Sequence, residues 1–252
     1  MNYAPLIELL DIDFRYGEGG EGLCGVSLAI GRGELVVVAG ANGSGKTTLL
    51  KHMNGLLLPT RGQVRVGGCD TRDNPAHARR HVGMVFQHAE AQIVGETVGD
   101  DVAFGPENLR LPRETVARRV RDALAAVGLD GKADQRPHLL SGGEKRRLTI
   151  AGVLAMMPAA VVFDEPFSSL DLAGVRQVLG QIVKLKAAGC TQVVTTHDLD
   201  KIMAHADRLV ILNQGQVVRD GDPAHILPEV EQFGVRQPDT SCLGAGFRSW
   251  LN

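Results

Sequence analysis

A chain of 252 residues, 44% of them hydrophobic, can bury a substantial core as one large domain or a domain with an inserted subdomain, which excludes a disordered or peptide-like molecule. Its 27 Lys and Arg against 29 Asp and Glu leave a formal net charge of −2, so no general electrostatic pull toward nucleic acid or anionic lipid is expected. Cys24, Cys69, Cys190 and Cys242 are scattered, with no CxxC pair and no histidine at metal-ligand spacing, which fits a reducing, cytoplasmic setting. The first residues lack a basic segment followed by an apolar one, and the longest apolar run, Ala151 to Phe163, is interrupted by Pro158 and too short to span a bilayer, so a soluble chain is expected.

Leu6 to Tyr16 and Leu23 to Ile30 read as strands around the turn-rich Gly17 to Gly22, an antiparallel opening layer. Glu34 to Ala39 reads as a buried strand that runs into a glycine loop, with a helix from Lys46 to Met53. Gln63 to Val66, before Gly67-Gly68, reads as a hairpin edge, and Val82 to Phe86 as a buried strand ending at Gln87. From 88 to about 156 the pattern is mainly helical. Pro112 opens a helix with Val116, Val120, Leu124 and Val127 on one face and Gly128 as its stop. A further helix starts at Ser141, and the strands Ala160 to Phe163 and Gln192 to Thr196 flank a helix from Val175 to Lys186. This alternation is that of a parallel sheet. From Pro228 to Asn252 periodicity is weak, so this is either a small extension packed on the core or a partly mobile tail, with Trp250 favouring some packing.

Gly40-Ala-Asn-Gly-Ser-Gly-Lys46-Thr47 fits GxxxxGK[ST], set between strand and helix as a P-loop requires. Gly40, Asn42, Gly43, Ser44, Gly45, Lys46, Thr47 and Thr48 are therefore candidate phosphate-binding residues. Lys46 can reach the β- and γ-phosphates, and Thr47 can give its hydroxyl to Mg²⁺. Asp164 and Glu165 emerge at the carboxyl end of a buried strand, where open α/β sheets place ligands. They resemble a Walker B pair, Asp164 acting on Mg²⁺ and Glu165 orienting and deprotonating a water. Ser141-Gly142-Gly143-Glu144 is also a good capping box, and the clusters Arg79-Arg80-His81 and Lys145-Arg146-Arg147 read by default as solvated helix faces.

With the P-loop before it and the carboxylate pair after it, Leu140-Ser-Gly-Gly-Glu144 resembles the LSGGQ signature of the nucleotide-binding subunits of ATP-binding cassette (ABC) transporters, with Glu in place of Gln. The resemblance spans about residues 5 to 228. It implies an α/β fold: a RecA-like P-loop core with an antiparallel β subdomain (1–87 and 157–227), an inserted helical subdomain carrying the signature (88–156) and a short C-terminal extension (228–252). It implies ATP and Mg²⁺ as ligands, with Thr47, Gln87 and Asp164 around the metal and Glu165, His197, Gln87 and Lys46 as catalytic residues. Gln87 resembles the Q-loop glutamine, Ser168-Ser-Leu-Asp171 the D-loop, and His197 the H-loop histidine at the γ-phosphate. Tyr16 resembles the aromatic that stacks on adenine, leaving Phe14 as a core residue.

In that family a second subunit completes each site with its signature loop, so the resemblance implies a homodimer or a heterodimer with a related ATPase. Ser141, Gly142 and Gly143 then bind the nucleotide of the neighbour. It further implies an integral membrane partner docked in a groove bordered by about Gln87 to Phe104, and a peripheral position on the inner face of the cell membrane. The stretch Asp101-Val-Ala-Phe-Gly-Pro-Glu-Asn108 is similar to the ATPases of energy-coupling factor importers of cobalt, nickel and vitamins. His88-Ala-Glu90-Ala-Gln92 departs from the Pro and acidic pair frequent there. The alternatives are the ATPase of a conventional ABC transporter, or a soluble ABC ATPase of DNA repair, chromosome structure or translation. The latter usually carries long coiled coils or two cassettes, and neither is present.

Overall fold

The computed structural model describes residues 4–17, 22–238 and 249–251. Cys242, most of the 17–22 connection and part of the C-terminal extension lie outside the described residues. Their strands form two sheets. In the first, the order is β2 (Leu23–Ile30), β1 (Ile7–Phe14), β4 (Arg61–Val66) and β5 (Cys69–Asp70), all pairs antiparallel. In the second, it is β10 (Gln216–Gly221), β9 (Arg208–Asn213), β3 (Leu35–Ala39), β8 (Thr191–Thr196), β7 (Ala160–Asp164) and β6 (Val82–Val85), parallel except for β10.

The parallel strands are apolar on both faces because both faces are covered. Val36, Val38, Val162, Val193, Val210 and Leu212 point into a core shared with the antiparallel sheet and with Leu49, Leu50 and Met53 of α1 (Lys46–Met53). Their neighbours Val37, Ala39, Val161, Phe163, Val194 and Ile211 point to the opposite side. There they meet a helical layer of α3 (Val98–Asn108), α4 (Arg113–Ala126), α5 (Gly142–Ala155) and α6 (Leu172–Ala187). The strict alternation is the period-2 geometry of a strand buried on each side.

Most expected elements form at the expected places, with four differences. Tyr16 lies beyond β1, which ends at Phe14 after register shifts around Ile12. The Gln63 to Val66 strand forms the expected hairpin over Gly67-Gly68 but is not the sheet edge, since the two-residue β5 pairs outside it. No element was expected at 208–221, yet β9 and β10 form a hairpin over Gln214 and Gly215, at φ 48 and 75, the two positive-φ positions of a type I′ turn. A short helix α2 (Pro75–His81) precedes β6, capped by Asn74, whose side chain accepts from His77 N. Arg79 and Arg80 on it are exposed, as a solvated face requires.

In the helical layer α4 buries Val116, Leu124 and the following Val127, with Val120 half-buried, and stops at Gly128, φ 67. Its end is held by Arg147, which donates to the Val127 carbonyl at 2.7 Å. The last carbonyls of α5 are likewise met by Arg119, which donates to Ala155 O at 3.2 Å and Met156 O at 3.3 Å. Each guanidinium thus satisfies helix-end acceptors that have no partner inside the helix. After β10, α7 (Pro223–Ile226) and a 3₁₀ turn at Leu227–Phe233 bury Ile226, Leu227 and Val230. Trp250 packs as its size suggested: Lys201 Nζ sits 5.9 Å from its ring centroid, and Arg176 Nε donates to its carbonyl at 3.0 Å.

Candidate nucleotide site

Strand order decides what meets at the site. Because β3, β8 and β7 are parallel neighbours, their carboxyl ends lie side by side, and the chain leaves them as the glycine loop, His197 and Asp164-Glu165. Gln87 follows the next strand out, β6. These segments line one cleft of about 380 Å³, bounded among others by Gly43, Lys46, Thr47, Gln87, Glu165 and His197.

The loop takes its shape from two glycines. A side chain at Gly40 would meet Leu212 O at 2.2 Å and Ser44 Oγ at 2.5 Å, and Gly45 has φ 103 where it caps α1. Another residue fits at Gly40 only if the loop shifts off β9, and at Gly45 only with a strained backbone. α1 then starts with its free N–H groups at the cleft, the end of a helix that favours anions.

Lys46 is the buried cation of the cleft. Its Nζ donates to Gly40 O at 2.8 Å and Ala41 O at 3.1 Å and lies 3.8 Å from Glu165 Oε1. Burial pulls its pKa below the ordinary lysine range, while Glu165 and Asp164 pull the other way. Thr47 Oγ1 donates to Asp164 Oδ2 at 2.8 Å. Asp164 Oδ1 accepts from Thr195 Oγ1, also at 2.8 Å. The same hydroxyl lies 3.1 Å from Glu165 N, which donates to it. Thr195 thus fixes both carboxylate residues, and nothing in its sequence neighbourhood, a β-branched strand, marks it out.

Glu165 is 7% exposed and sits at φ 45, a left-handed conformation that costs a non-glycine residue about 1 kcal/mol or more. His197 Nδ1 lies 3.1 and 3.0 Å from its two carboxylate oxygens, and a carboxylate can only accept, which puts the ring proton on Nδ1. Tyr16 is 43% exposed, with its ring edge-on to Phe14 at 4.9 Å and its hydroxyl 3.3 Å from Thr48 Oγ1. Phe14 is the better buried of the two and packs on the core beneath.

Ser141, Gly142 and Gly143 lie elsewhere. They line a separate cleft of about 450 Å³ with Asp171, Gly174 and Gln177, which shares no lining residue with the P-loop cleft. The capping box forms as expected: Glu144 N donates to Ser141 Oγ at 3.3 Å, and Ser141 N to Glu144 Oε2 at 2.9 Å. The adjoining basic cluster is not a solvated face. Arg146 is 4% exposed and donates to the carbonyls of Phe86 and Gln87, and Lys145 pairs with Glu90 at 2.5 Å. Helix position explains the error, since Arg146 falls on the same buried face as Thr149, Ile150 and Val153.

The segment after Gln87 is tied down by its own side chains. Gln92 extends β6 by accepting from Phe86 N and donating to Met84 O, both at 3.1 Å. Asp101 clamps Val94 N and Gly95 N at 2.7 and 3.0 Å. The Asp101 to Asn108 stretch therefore has a packing role inside α3, whatever else it does.

Glycine loop, helix start, buried lysine and strand-end carboxylates together make the arrangement of a P-loop protein. The family model described as ABC transporter matches residues 23–168, and the chain belongs to that family, as an ATP-binding, ATP-hydrolysing subunit. It is 41% identical over 229 residues to the energy-coupling factor transporter ATP-binding protein EcfA of Methanocaldococcus jannaschii, covering 90% of this chain and 82% of that one. Among solved structures it is similar to cbiO1 of Clostridium perfringens, described as part of the transporter complex cbiONQ, with TM-score 0.82, 31% identity and 96% and 99% of the two chains covered. It is also similar to a dimeric ATP-binding cassette in a post-hydrolysis state bound to ADP and Pi, with TM-score 0.76, 29% identity and coverage of 86% and 98%.

Proposed function

We propose that this chain powers an energy-coupling factor importer, hydrolysing Mg-ATP in a dimer that drives integral membrane subunits, with a metal ion such as cobalt or nickel, or a vitamin, as cargo. The observation that carries the catalytic part is the convergence of Lys46, Thr47, Glu165 and His197 in one cleft, with Asp164 buried behind it on the Thr47 hydroxyl. The residues fit a nucleoside triphosphate. Ser44 Oγ is buried in the loop with no partner among the described residues, and the cleft opens on backbone N–H groups and a buried ammonium, the donors a phosphate chain requires. The candidate metal ligands are Thr47, Asp164 and Gln87. A carboxylate and a hydroxyl with phosphate oxygens suit Mg²⁺, which binds few protein ligands and shields charge on the transferred phosphoryl group.

The roles of the chain's own residues follow. Lys46 and the loop N–H groups bind and orient the phosphates, and Thr195 keeps Asp164 and Glu165 in register with them. Glu165, held on the Nδ1 side of His197, takes the proton of the attacking water. Tyr16 offers an exposed ring for the adenine.

Support for a composite site comes from the P-loop and Ser141 to Gly143 lining different clefts of one chain, with Gln87 and Gly142 meeting only in a third between them. The signature loop does not join its own P-loop, so its open helix start is available to a second copy or a related subunit. The assignment of the core to 1–87 and 157–227, the helical subdomain to 88–156 and an extension to 228–252 accords with this division of labour. Beside the Q-loop, a groove of about 690 Å³ lined by Glu90, Ile93, Glu96, Arg136 and His138 suits a membrane partner's coupling segment, and Val94, Phe104 and Leu139 are exposed nearby in sequence. No helix among the described residues is long and apolar enough to cross a membrane. Affinity purification from membranes tests the reading. Copurification of an integral membrane scaffold is expected; hydrolysis stimulated by DNA or ribosomes, with no such scaffold, contradicts it.

A further inference from the structure

The signature departs from LSGGQ at one place, Glu144, and the change puts a negative charge in the first turn of the helix assigned to a neighbour's triphosphate. A carboxylate there stabilises α5 itself, because it answers the helix dipole. It also opposes a second anion brought to the same helix end. The structure shows how that charge is met. Lys132 Nζ donates to Glu144 Oε1 at 2.5 Å, while Oε2 is held on Ser141 N at 2.9 Å.

Lys132 reaches Glu144 from a different element, the 3₁₀ turn Asp130–Lys132, whose place is fixed by the buried Leu129. Lys132 N donates to Leu129 O at 3.0 Å. The basic residues of α5 itself are committed elsewhere: Lys145 to Glu90, Arg146 to Phe86 and Gln87, and Arg147 to Val127 and Gly128. Together the lysine and the Ser141 N–H hold the Glu144 carboxyl down at about 2. At Gly142 a side chain would meet nothing within 4 Å, so the approach beside the pair is open.

We propose that Lys132 is a positioning residue of the composite nucleotide site. Its ammonium cancels the Glu144 charge and keeps that carboxylate folded back on Ser141, so that Ser141 and the glycines present a neutral, donor-rich surface to the triphosphate of the other subunit. This rests on the composite-site reading. It gives Glu at the signature's last position a requirement that Gln lacks: a cation on the preceding turn.

The test uses the full chain carrying Glu165→Gln and follows, by light scattering, the ATP concentration that half-converts it to dimer in Mg²⁺. Adding Lys132→Met is expected to raise that concentration roughly three- to tenfold, the scale of an uncompensated charge at a helix end. Lys132→Arg stays within about twofold of the parent, and Glu144→Gln added to Lys132→Met restores the parent value within about twofold. Binding of a fluorescent ATP analogue to the monomer is unchanged by Lys132→Met. A purely structural ion pair predicts no rescue, since Glu144→Gln cannot rebuild it. An unshifted Lys132→Met variant, or one that Glu144→Gln fails to restore, overturns the proposal. Failure of Glu165→Gln itself to dimerise, alone or with a related ATPase subunit, overturns the composite-site reading, and the role of Lys132 with it.

Discussion

Arg146, one turn into the helix capped by Ser141, donates to the backbone carbonyl of Gln87 and so fastens α5 to the segment that lines the cleft of Lys46 and Glu165. A second bond reaches the Phe86 carbonyl. Burial lowers the guanidinium's pKa while the nearby Asp164 charge favours its cationic form. These contacts make a direct link between the cleft and the helical layer. Any shift of Gln87 on nucleotide binding has to move α5 or break them.

Replacing Arg146 by Leu removes two charge-assisted bonds and leaves two carbonyls to find water. A loss of about 2 to 4 kcal/mol is expected, since hydrogen bonds to charged groups contribute about 1.5 to 3 kcal/mol each and the shared site is not additive. Urea denaturation measures it. A change below about 0.5 kcal/mol, the range of an ordinary surface substitution, contradicts the buried-tether reading.

Thr195→Val keeps shape and burial but deletes the hydroxyl that serves both Asp164 and Glu165. We expect kcat for ATP hydrolysis to fall about 10- to 100-fold, as for other residues that orient metal and catalytic ligands from behind. Nucleotide affinity should hold within a few fold. Equal loss of affinity and rate points instead to a collapsed cleft.

Lys46→Ala takes the buried cation from the phosphate side and leaves Asp164 and Glu165 facing the nucleotide. Isothermal titration should show ATP binding weakened at least about a hundredfold, the cost of a lost charge-assisted phosphate contact with uncompensated carboxylates. Unaltered affinity removes Lys46 from its role.

His52, fully buried in α1, donates Nδ1–H to Thr48 O at 2.7 Å and meets the edge of Phe14 at 4.8 Å. Desolvation lowers its pKa below the ordinary 6.5 in the folded chain. The unfolded chain therefore binds the extra proton first as pH falls. The neutral ring's share of stability is complete above 6.5 and is lost progressively below it, toward the depressed folded value. Urea midpoints of the native chain should thus fall more steeply between pH 7 and about 5 than those of His52→Gln. Parallel curves contradict this.

What the sequence made legible was whatever the backbone itself demands. Gly40 and Gly45 are required by contact and by φ, and Asp164-Glu165 stand at the end of an unbroken apolar strand, so both could be placed without coordinates. Thr195 could not. It lies in the run Thr191 to Thr196, where β-branching suits a central strand and hides a hydroxyl with a second task. Arg146 was hidden among three basic residues, because only the packing of α5 decides which of them faces inward. β9 and β10 were missed because a short apolar run such as Leu209 to Leu212 does not distinguish strand from buried helix. The hairpin signal was Gly215 following Gln214, a pair weaker than Asn-Gly.

The central claim is that two chains each lend half of two ATP sites, and sedimentation velocity of the Glu165→Gln chain addresses it most directly. The substitution removes the base and keeps the side chain's shape. With Mg-ATP the account predicts conversion from monomer to dimer, reversed by adding Lys46→Ala. A chain that sediments as a monomer at every protein and Mg-ATP concentration while still binding ATP, both alone and mixed with a related ATPase subunit, contradicts it.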